Sequence, residues 1–198
     1  MKITKELSKF NTIKFHDKEH KYYLNGIKTK SVTGVIGEYK HPFDKEYWSQ
    51  KKADERNITQ EEILSEWKYK ADFSCEKGSV FHEYVENFLT NKLYPFPEHR
   101  VTSALGSSDN MLECKEAVDK LKTLFEKFYK DSFGKLIPVR AEIVVGDEEW
   151  SVTGMIDQLF FNEKSGKLEI WDWKTNKKIG RDNKWQQFKE PLSHLDVC

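Results

Sequence analysis

The sequence predicts an α+β protein, with helices in its first part and a β-meander in its second. Apolar residues recur at helical spacing over about residues 59–131, which indicates amphipathic helices packed on a core. From about residue 136 to 175 the pattern changes to three runs rich in β-branched and aromatic residues, separated by short turn sequences. Segregation of this kind is typical of a mixed, mainly antiparallel sheet flanked by helices.

Residues 1–58 are expected to form an N-terminal hairpin and a connecting segment. The Asn-Gly pair at 25–26 favours a tight turn between Lys21–Leu24 and the run that ends at Thr33. Residues 59–198 form the predicted core, and both parts are expected to make one folded unit.

The helical region is expected to contain three parts. A capping-box sequence at Thr59 begins a helix that runs to about Phe73, and Gly78 is expected to open a second one. Pro and Gly residues within 91–108 predict a loop. A long amphipathic helix is then expected to begin at Ser108 or Asp109.

The three strands are expected at 136–145, 150–161 and 168–174. If the last two pair about a turn at 164–165, Leu168 lies opposite Phe161 and Asp172 lies opposite Asp157. Side-chain alternation then turns Lys174 to the same side as Asp172. We therefore expect two acids and a lysine to converge at one edge of the sheet.

Two carboxylates held a few Å apart on a half-buried face repel each other, so either one of them binds a proton or a cation lies between them. Oxygen ligands of this kind suit Mg²⁺ or Mn²⁺, and a nearby lysine can orient water and offset charge on a phosphate. An Asp-x-Lys triplet also occurs by chance at solvated strand ends. The hypothesis gains weight from Asp157, which interrupts a strand where a hydrophobic residue is expected.

The motifs GSVFHEYVE at 78–86, GMID at 154–157 and IWDWKTNK at 170–177 together resemble the RecB-like branch of the PD-(D/E)XK nuclease superfamily, notably its phage and mitochondrial-type DNA exonucleases. Ser31-Val-Thr33 is also similar to that group. The resemblance implies a restriction-endonuclease-like core and Mg²⁺-dependent hydrolysis of DNA, with exonucleolytic action expected.

The resemblance also implies individual roles. Asp157 and Asp172 would bind the metal, together with His82 and the backbone carbonyl of Trp173, and Lys174 would be the catalytic lysine. Supporting positions are implied for Glu86, Glu142 and Thr175.

Two of these positions keep alternatives. His82 could instead be an edge histidine paired with Glu86 on its helix, and Glu142 could form an ordinary cross-strand salt bridge. A basic stretch after the last motif is expected to contact the DNA backbone; its residues are Lys177, Lys178, Arg181 and Lys184.

Composition limits the other classes of function. Lys plus Arg and Asp plus Glu both number 33, so the net charge is zero and any basic surface must be local. The sequence has no apolar run long enough for a membrane helix, which predicts a soluble, cytoplasmic protein and is compatible with a phage-encoded protein in a bacterial host. Three widely spaced cysteines predict reduced thiols and no iron–sulfur cluster.

The sequence departs from the family at its C-terminal end. The resemblance implies a further helix with a Gln-x-x-x-Tyr signature and a further strand, and the chain stops at Cys198 before both. The chain is therefore expected to be a truncated product, half of a split enzyme, or a protein whose missing part is supplied by a second subunit. The alternative is a non-catalytic nucleic-acid-binding or nuclease-regulating module.

Overall fold

A computed structural model describes residues 8–16, 19, 21–132, 136–176 and 188–189. Within these residues it shows an α+β fold with five α-helices and a six-stranded, mostly antiparallel sheet, as predicted. None of the helices in this part of the chain is long and apolar enough to cross a membrane.

The N-terminal hairpin is confirmed. A short 3-10 helix, Ser8–Thr12, precedes β1 (Ile13–His16), β2 (Lys21–Leu24) and β3 (Ile27–Ser31). Asn25 and Gly26 both have positive φ, 50° and 81°, the conformation that a two-residue hairpin turn requires.

The connecting segment contains two helices that the sequence analysis did not predict, α1 (Val32–Glu38) and α2 (Lys45–Arg56). Each begins with a side-chain cap: Ser31 accepts a hydrogen bond from the Gly34 N–H, and Asp44 accepts one from the Tyr47 N–H, both at 2.9 Å. Helix α2 ends at Asn57 in the left-handed conformation.

The capping box at Thr59 is confirmed, but the predicted break at Gly78 is wrong. One helix, α3, runs from Gln60 to Leu89, with both hydrogen bonds of the capping box present. A glycine within a helix costs only about 1 kcal/mol, and burial of Ile63 and Val80 on either side of Gly78 offsets this.

The predicted loop at 91–108 is wrong in part, because α4 (Glu98–Leu105) lies within it. Val101 and Leu105 are buried, so a helix this short is stabilised by packing. The long helix is confirmed as α5 (Ser108–Ser132).

The predicted meander consists of β4 (Leu136–Asp147), β5 (Val152–Asn162) and β6 (Lys167–Trp171). The expected register is confirmed: Leu168 pairs with Phe161, and Ile170 with Leu159. Strand β4 continues through Gly146 and Asp147, beyond its expected end at 145, and the first turn lies at 148–151.

Strand β5 determines the layout of the sheet. Along one edge it pairs with β4; along the other it pairs with β3 in parallel at 152–153 and with β6 in antiparallel at 158–162. In the part of the chain that the structure describes, no strand covers residues 154–157 on that second edge. A gap therefore separates β3 from β6.

Two apolar clusters share helix α3. The first joins α3 to α4 and α5 through Val80, Val101, Leu105, Met111, Cys114 and Val118. The second joins α3 and α5 to the sheet through Phe81, Val85, Leu89, Phe125 and Phe160. Because α3 belongs to both, its polar residues have fixed positions over the gap in the sheet. Cys75 and Cys114 are free thiols, as expected; Cys198 lies outside the described residues.

Candidate metal centre

A cavity of about 800 Å³ opens where β3 and β6 leave β5 uncovered. The middle of α3, the start of α1 and strands β4 and β5 form its walls. Five carboxylates line it, and the described lining residues include neither lysine nor arginine. The acids are Glu83, Glu86, Glu142, Asp157 and Asp172. Such a cavity favours a cation.

The tautomer of His82 follows from its hydrogen bond. Its Nε2 lies 3.0 Å from the backbone oxygen of Trp173, which can only accept, so Nε2 carries the hydrogen. In the neutral ring Nδ1 is then a lone-pair donor. It lies 3.7 Å from Asp157 Oδ2 and 4.0 Å from Glu142 Oε1. Metal-binding histidines commonly donate their second N–H to a backbone carbonyl in this way.

Trp173 positions two residues at once. Its backbone N–H donates to Asp157 Oδ2 at 2.8 Å, while its carbonyl accepts from His82. The indole packs against Phe125, with ring centroids 5.5 Å apart, so the second apolar cluster fixes this backbone. The Trp173 carbonyl, which the resemblance implies as a metal ligand, accepts the hydrogen bond from His82 and so orients the histidine ring.

Glu142 combines an unusual backbone with an unusual environment. Its φ of 46° lies in the left-handed region, which costs a side-chain-bearing residue of order 1–3 kcal/mol. Burial, and the nearby charges of Asp157, Glu86 and Glu83, raise the pKa of Glu142 to about 7. A strained, reluctantly ionised carboxyl is typical of a functional site. Glu142 lies near His82 and Asp157 and does not form the cross-strand salt bridge considered for it.

One nitrogen and two carboxylates therefore form a plausible ligand set. The candidate atoms of His82, Glu142 and Asp157 all lie within 4.8 Å of one another. Neighbouring ligands in a Mg²⁺ octahedron lie about 3 Å apart, from bond lengths of about 2.0–2.1 Å. Binding would therefore draw these side chains inward by about 1 Å, and the cavity leaves the remaining positions to water or substrate oxygens.

Protein-family models, curated proteins and solved structures were compared with this chain, and none matches.

The acid and lysine of the Asp-x-Lys motif lie at the rim. Strand β6 ends at Trp171, so the pairing expected between Asp172 and Asp157 is not made. Asp172 lines the cavity but is more than half exposed, and the Nζ of Lys174 lies 2.7 Å from its Oδ2. The structure thus places an ion pair where two ligands and a catalytic lysine were expected to converge.

The supporting residues lie close by. Glu86 lines the cavity instead of pairing with His82. The Thr175 carbonyl accepts a hydrogen bond from Lys77 Nζ at 3.0 Å, which ties the motif segment to α3. The four expected DNA contacts, Lys177, Lys178, Arg181 and Lys184, lie outside the described residues.

Sequence analysis missed a polar stripe on α3. Ser79, His82, Glu83 and Glu86 line the cavity at i, i+3, i+4 and i+7. The apolar stripe of the same helix, formed by Phe81, Tyr84, Val85 and Phe88, lies two positions further along the chain. Glu83 is in turn held by Arg100 Nη1 at 2.6 Å and by the hydroxyl of Tyr94, so α4 is tied to the cavity wall.

Proposed function

We propose that this chain is a divalent-metal-dependent deoxyribonuclease on a restriction-endonuclease-like core. The observation that carries the proposal is the grouping of His82, Glu142 and Asp157, held from both sides by the Trp173 backbone, in a cavity lined by carboxylates. The motif resemblance supplies the substrate class. The function that the site and the motif resemblance support best is hydrolysis of DNA, with exonucleolytic action expected.

A bound Mg²⁺ or Mn²⁺ would polarise a phosphodiester and lower the pKa of a water molecule. The side chains of the site would bind this cation. His82 contributes Nδ1 in the tautomer fixed by Trp173, while Asp157 is oriented by the Trp173 N–H. Glu142 must lose its proton first, so the affinity for metal rises as pH passes through about 7.

Lys174 would position the phosphate of the substrate at the rim of the cavity. Its ammonium group is paired with Asp172 at 2.7 Å, and both groups are exposed. A phosphate in the cavity would compete with Asp172 for the ammonium, which would free the Asp172 carboxylate to serve as a metal ligand. Glu142 and Asp172 are thus alternative third ligands. Calorimetric titration of Mn²⁺ into Glu142→Gln and Asp172→Asn distinguishes them, because the true ligand is the one whose loss weakens binding.

The activity test uses end-labelled linear DNA and covalently closed circular DNA with Mg²⁺, Mn²⁺ or chelator. Metal-dependent loss of the linear substrate alone supports an exonuclease. We expect Asp157→Asn and Lys174→Ala to reduce cleavage by about 100-fold or more. Asp131→Asn and Lys164→Ala change exposed residues of the same types away from the cavity and serve as matched controls.

Two outcomes contradict the proposal. If Asp157→Asn and Lys174→Ala cut as fast as the parent, these residues do not form the site. If the folded chain binds DNA but cuts neither substrate with any metal, the non-catalytic module, or an enzyme completed by a second subunit, replaces it.

A further inference from the structure

Tyr22, on β2 of the N-terminal hairpin, lines the same cavity as the candidate metal ligands. The residue is only 6% exposed, yet its hydroxyl forms no hydrogen bond with any residue that the structure describes. A buried tyrosine hydroxyl usually has a hydrogen-bond partner. An unpaired one in the wall of a cavity therefore indicates a position for an atom of a ligand.

The Tyr22 hydroxyl also remains in contact with solvent. Among the described residues, the side-chain polar atoms that are both unpaired and closed off from solvent are Glu76 Oε2 and Gln158 Oε1. The Tyr22 hydroxyl, although unpaired, is not one of them, so the cavity that Tyr22 lines is the space that it borders. A ligand in the cavity can therefore reach it.

The hairpin fixes the position of the Tyr22 ring. Tyr22 is the cross-strand neighbour of Phe15 on β1 and of Thr29 on β3, and the Phe15 and Tyr22 ring centroids lie 4.6 Å apart. The Thr29 hydroxyl donates to the Tyr22 carbonyl at 3.3 Å and lies 2.9 Å from Thr153 Oγ1. Because Thr153 is on β5, these contacts tie the ring to the strand that carries Asp157.

The chemistry of the Tyr22 hydroxyl differs from that of the acids around it. Burial, and then the negative charge of Glu142, raise the pKa of Tyr22 above its ordinary value of 10.0, so the hydroxyl keeps its proton at neutral pH. It can therefore donate a hydrogen bond, whereas an ionised carboxylate can only accept one. A ligand whose oxygens are all acceptors needs such a neutral donor beside the cation.

We propose that the Tyr22 hydroxyl donates a hydrogen bond to a phosphate oxygen of the nucleotide that the metal centre binds. The inference rests on the proposed function, and it adds a substrate-binding residue from outside the three motifs. The cavity of about 800 Å³ is large enough for a nucleotide. A hydrogen bond to a charged phosphate oxygen is stronger than one between neutral groups, and it would strengthen further as charge develops on the phosphate during hydrolysis.

The test compares Tyr22→Phe, which removes the hydroxyl and keeps the ring, with Tyr23→Phe. Tyr23 is the next residue of the same strand, and its ring lies 4.8 Å from that of His16. Calorimetry follows thymidine 5′-monophosphate binding in the presence of Mn²⁺. We expect Tyr22→Phe to weaken this binding about 10-fold or more and to lower kcat/KM on linear DNA by a similar factor. Mn²⁺ alone should bind Tyr22→Phe as tightly as the parent, and Tyr23→Phe should match the parent throughout.

Urea unfolding separates this role from a structural one. Because no described residue hydrogen-bonds to the Tyr22 hydroxyl, Tyr22→Phe removes no contact of this kind from the folded chain. Its unfolding midpoint should therefore equal that of the parent or lie above it. A lower midpoint would show that the hydroxyl serves the fold, and it would overturn the proposal.

The proposal also fails if Tyr22→Phe binds the nucleotide like the parent, or if the parent binds no nucleotide in Mn²⁺. Metal-dependent cleavage that is equally fast in the parent and in Tyr22→Phe would overturn this inference and leave the nuclease proposal intact. A chain that cuts no DNA, but whose Mn²⁺-dependent nucleotide binding is lost in Tyr22→Phe, would refute the nuclease proposal and support this inference.

Discussion

The ionisation of Glu142 should make the metal-free protein less stable as pH rises. Its pKa is raised to about 7 from an ordinary value of 4.5, so the unfolded chain releases this proton at lower pH than the folded one. The contribution to stability is fully present below 4.5 and is lost as pH rises through 7. At about 1.36 kcal/mol per pH unit the full effect is about 3 kcal/mol. The side chain is about a third exposed, and solvent screening reduces this to roughly 1.5 kcal/mol.

Urea unfolding in chelator at pH 5 and pH 8 measures this difference. Glu142→Gln cannot ionise and should lose the pH-dependent part, while Glu116→Gln, at an exposed position on α5, should keep it. Mg²⁺ or Mn²⁺ at pH 8 should restore stability to the parent, because the cation neutralises the same carboxylates. If the parent and Glu142→Gln show equal pH dependence, the carboxyl is not held in the environment described.

Three further predictions concern the framework. Phe160→Ala should lower the free energy of unfolding by about 3–5 kcal/mol, because Phe160 is fully buried in the second apolar cluster. Chemical denaturation measures the change, and an equal loss for Leu124→Ala, at a residue 66% exposed, would contradict the core assignment. Thr59→Ala should cost about 1 kcal/mol in thermal unfolding through loss of the capping box, and no loss would show the cap to be unimportant. Gly78→Ala should raise the free energy of unfolding by up to about 1 kcal/mol, because its Cβ would meet Thr175 Oγ1 at an ordinary 3.8 Å. Gly34→Ala should lower it, because its Cβ would lie 2.9 Å from Ser31 Oγ, and the reverse order would refute the comparison.

The sequence predicts most of the meander because its signals are local. Alternation and turn residues place β4, β5 and β6 and give the register of Leu168 with Phe161. The register could not be extended to Asp172, because the hydrogen bond from the Trp173 N–H to the Asp157 carboxylate takes the place of a further ladder pair. A side chain that competes with the backbone leaves little trace in strand periodicity.

Helix boundaries were predicted less well than the strands, because they depend on packing between distant residues. Gly78 is a local helix breaker, yet burial of Val80 and Phe81 overrides its small cost. The caps Ser31 and Asp44 were visible, but α1 buries no residue and α2 buries only the small residues Ser49 and Ala53, so hydrophobic spacing gave no signal. Burial thus extends a helix past a residue of low helix propensity, whereas a helix that buries few residues lacks the hydrophobic pattern by which it could be predicted.

The structure brings together two residues that the sequence singled out, but it does not make the expected strand pairing of Asp172 with Asp157. His82 and Asp157 carry motif resemblance, and the structure brings them together. Glu142 completes the group only because a positive φ turns it there, which no sequence pattern indicates. Asp172 and Lys174 are adjacent in space, as side-chain alternation implies, but they satisfy each other.

The cavity at the gap on β5 and the polar side chains that line it have different structural causes. The hollow exists because β3 and β6 pair with different stretches of one strand and leave residues 154–157 between them, which is a property of the chain path. The reactive groups are a few side chains set around that hollow. Substitution at His82 or Asp157 should therefore change the groups that line the cavity and leave the cavity itself in place, because the strand pairing that shapes it is made by the backbone.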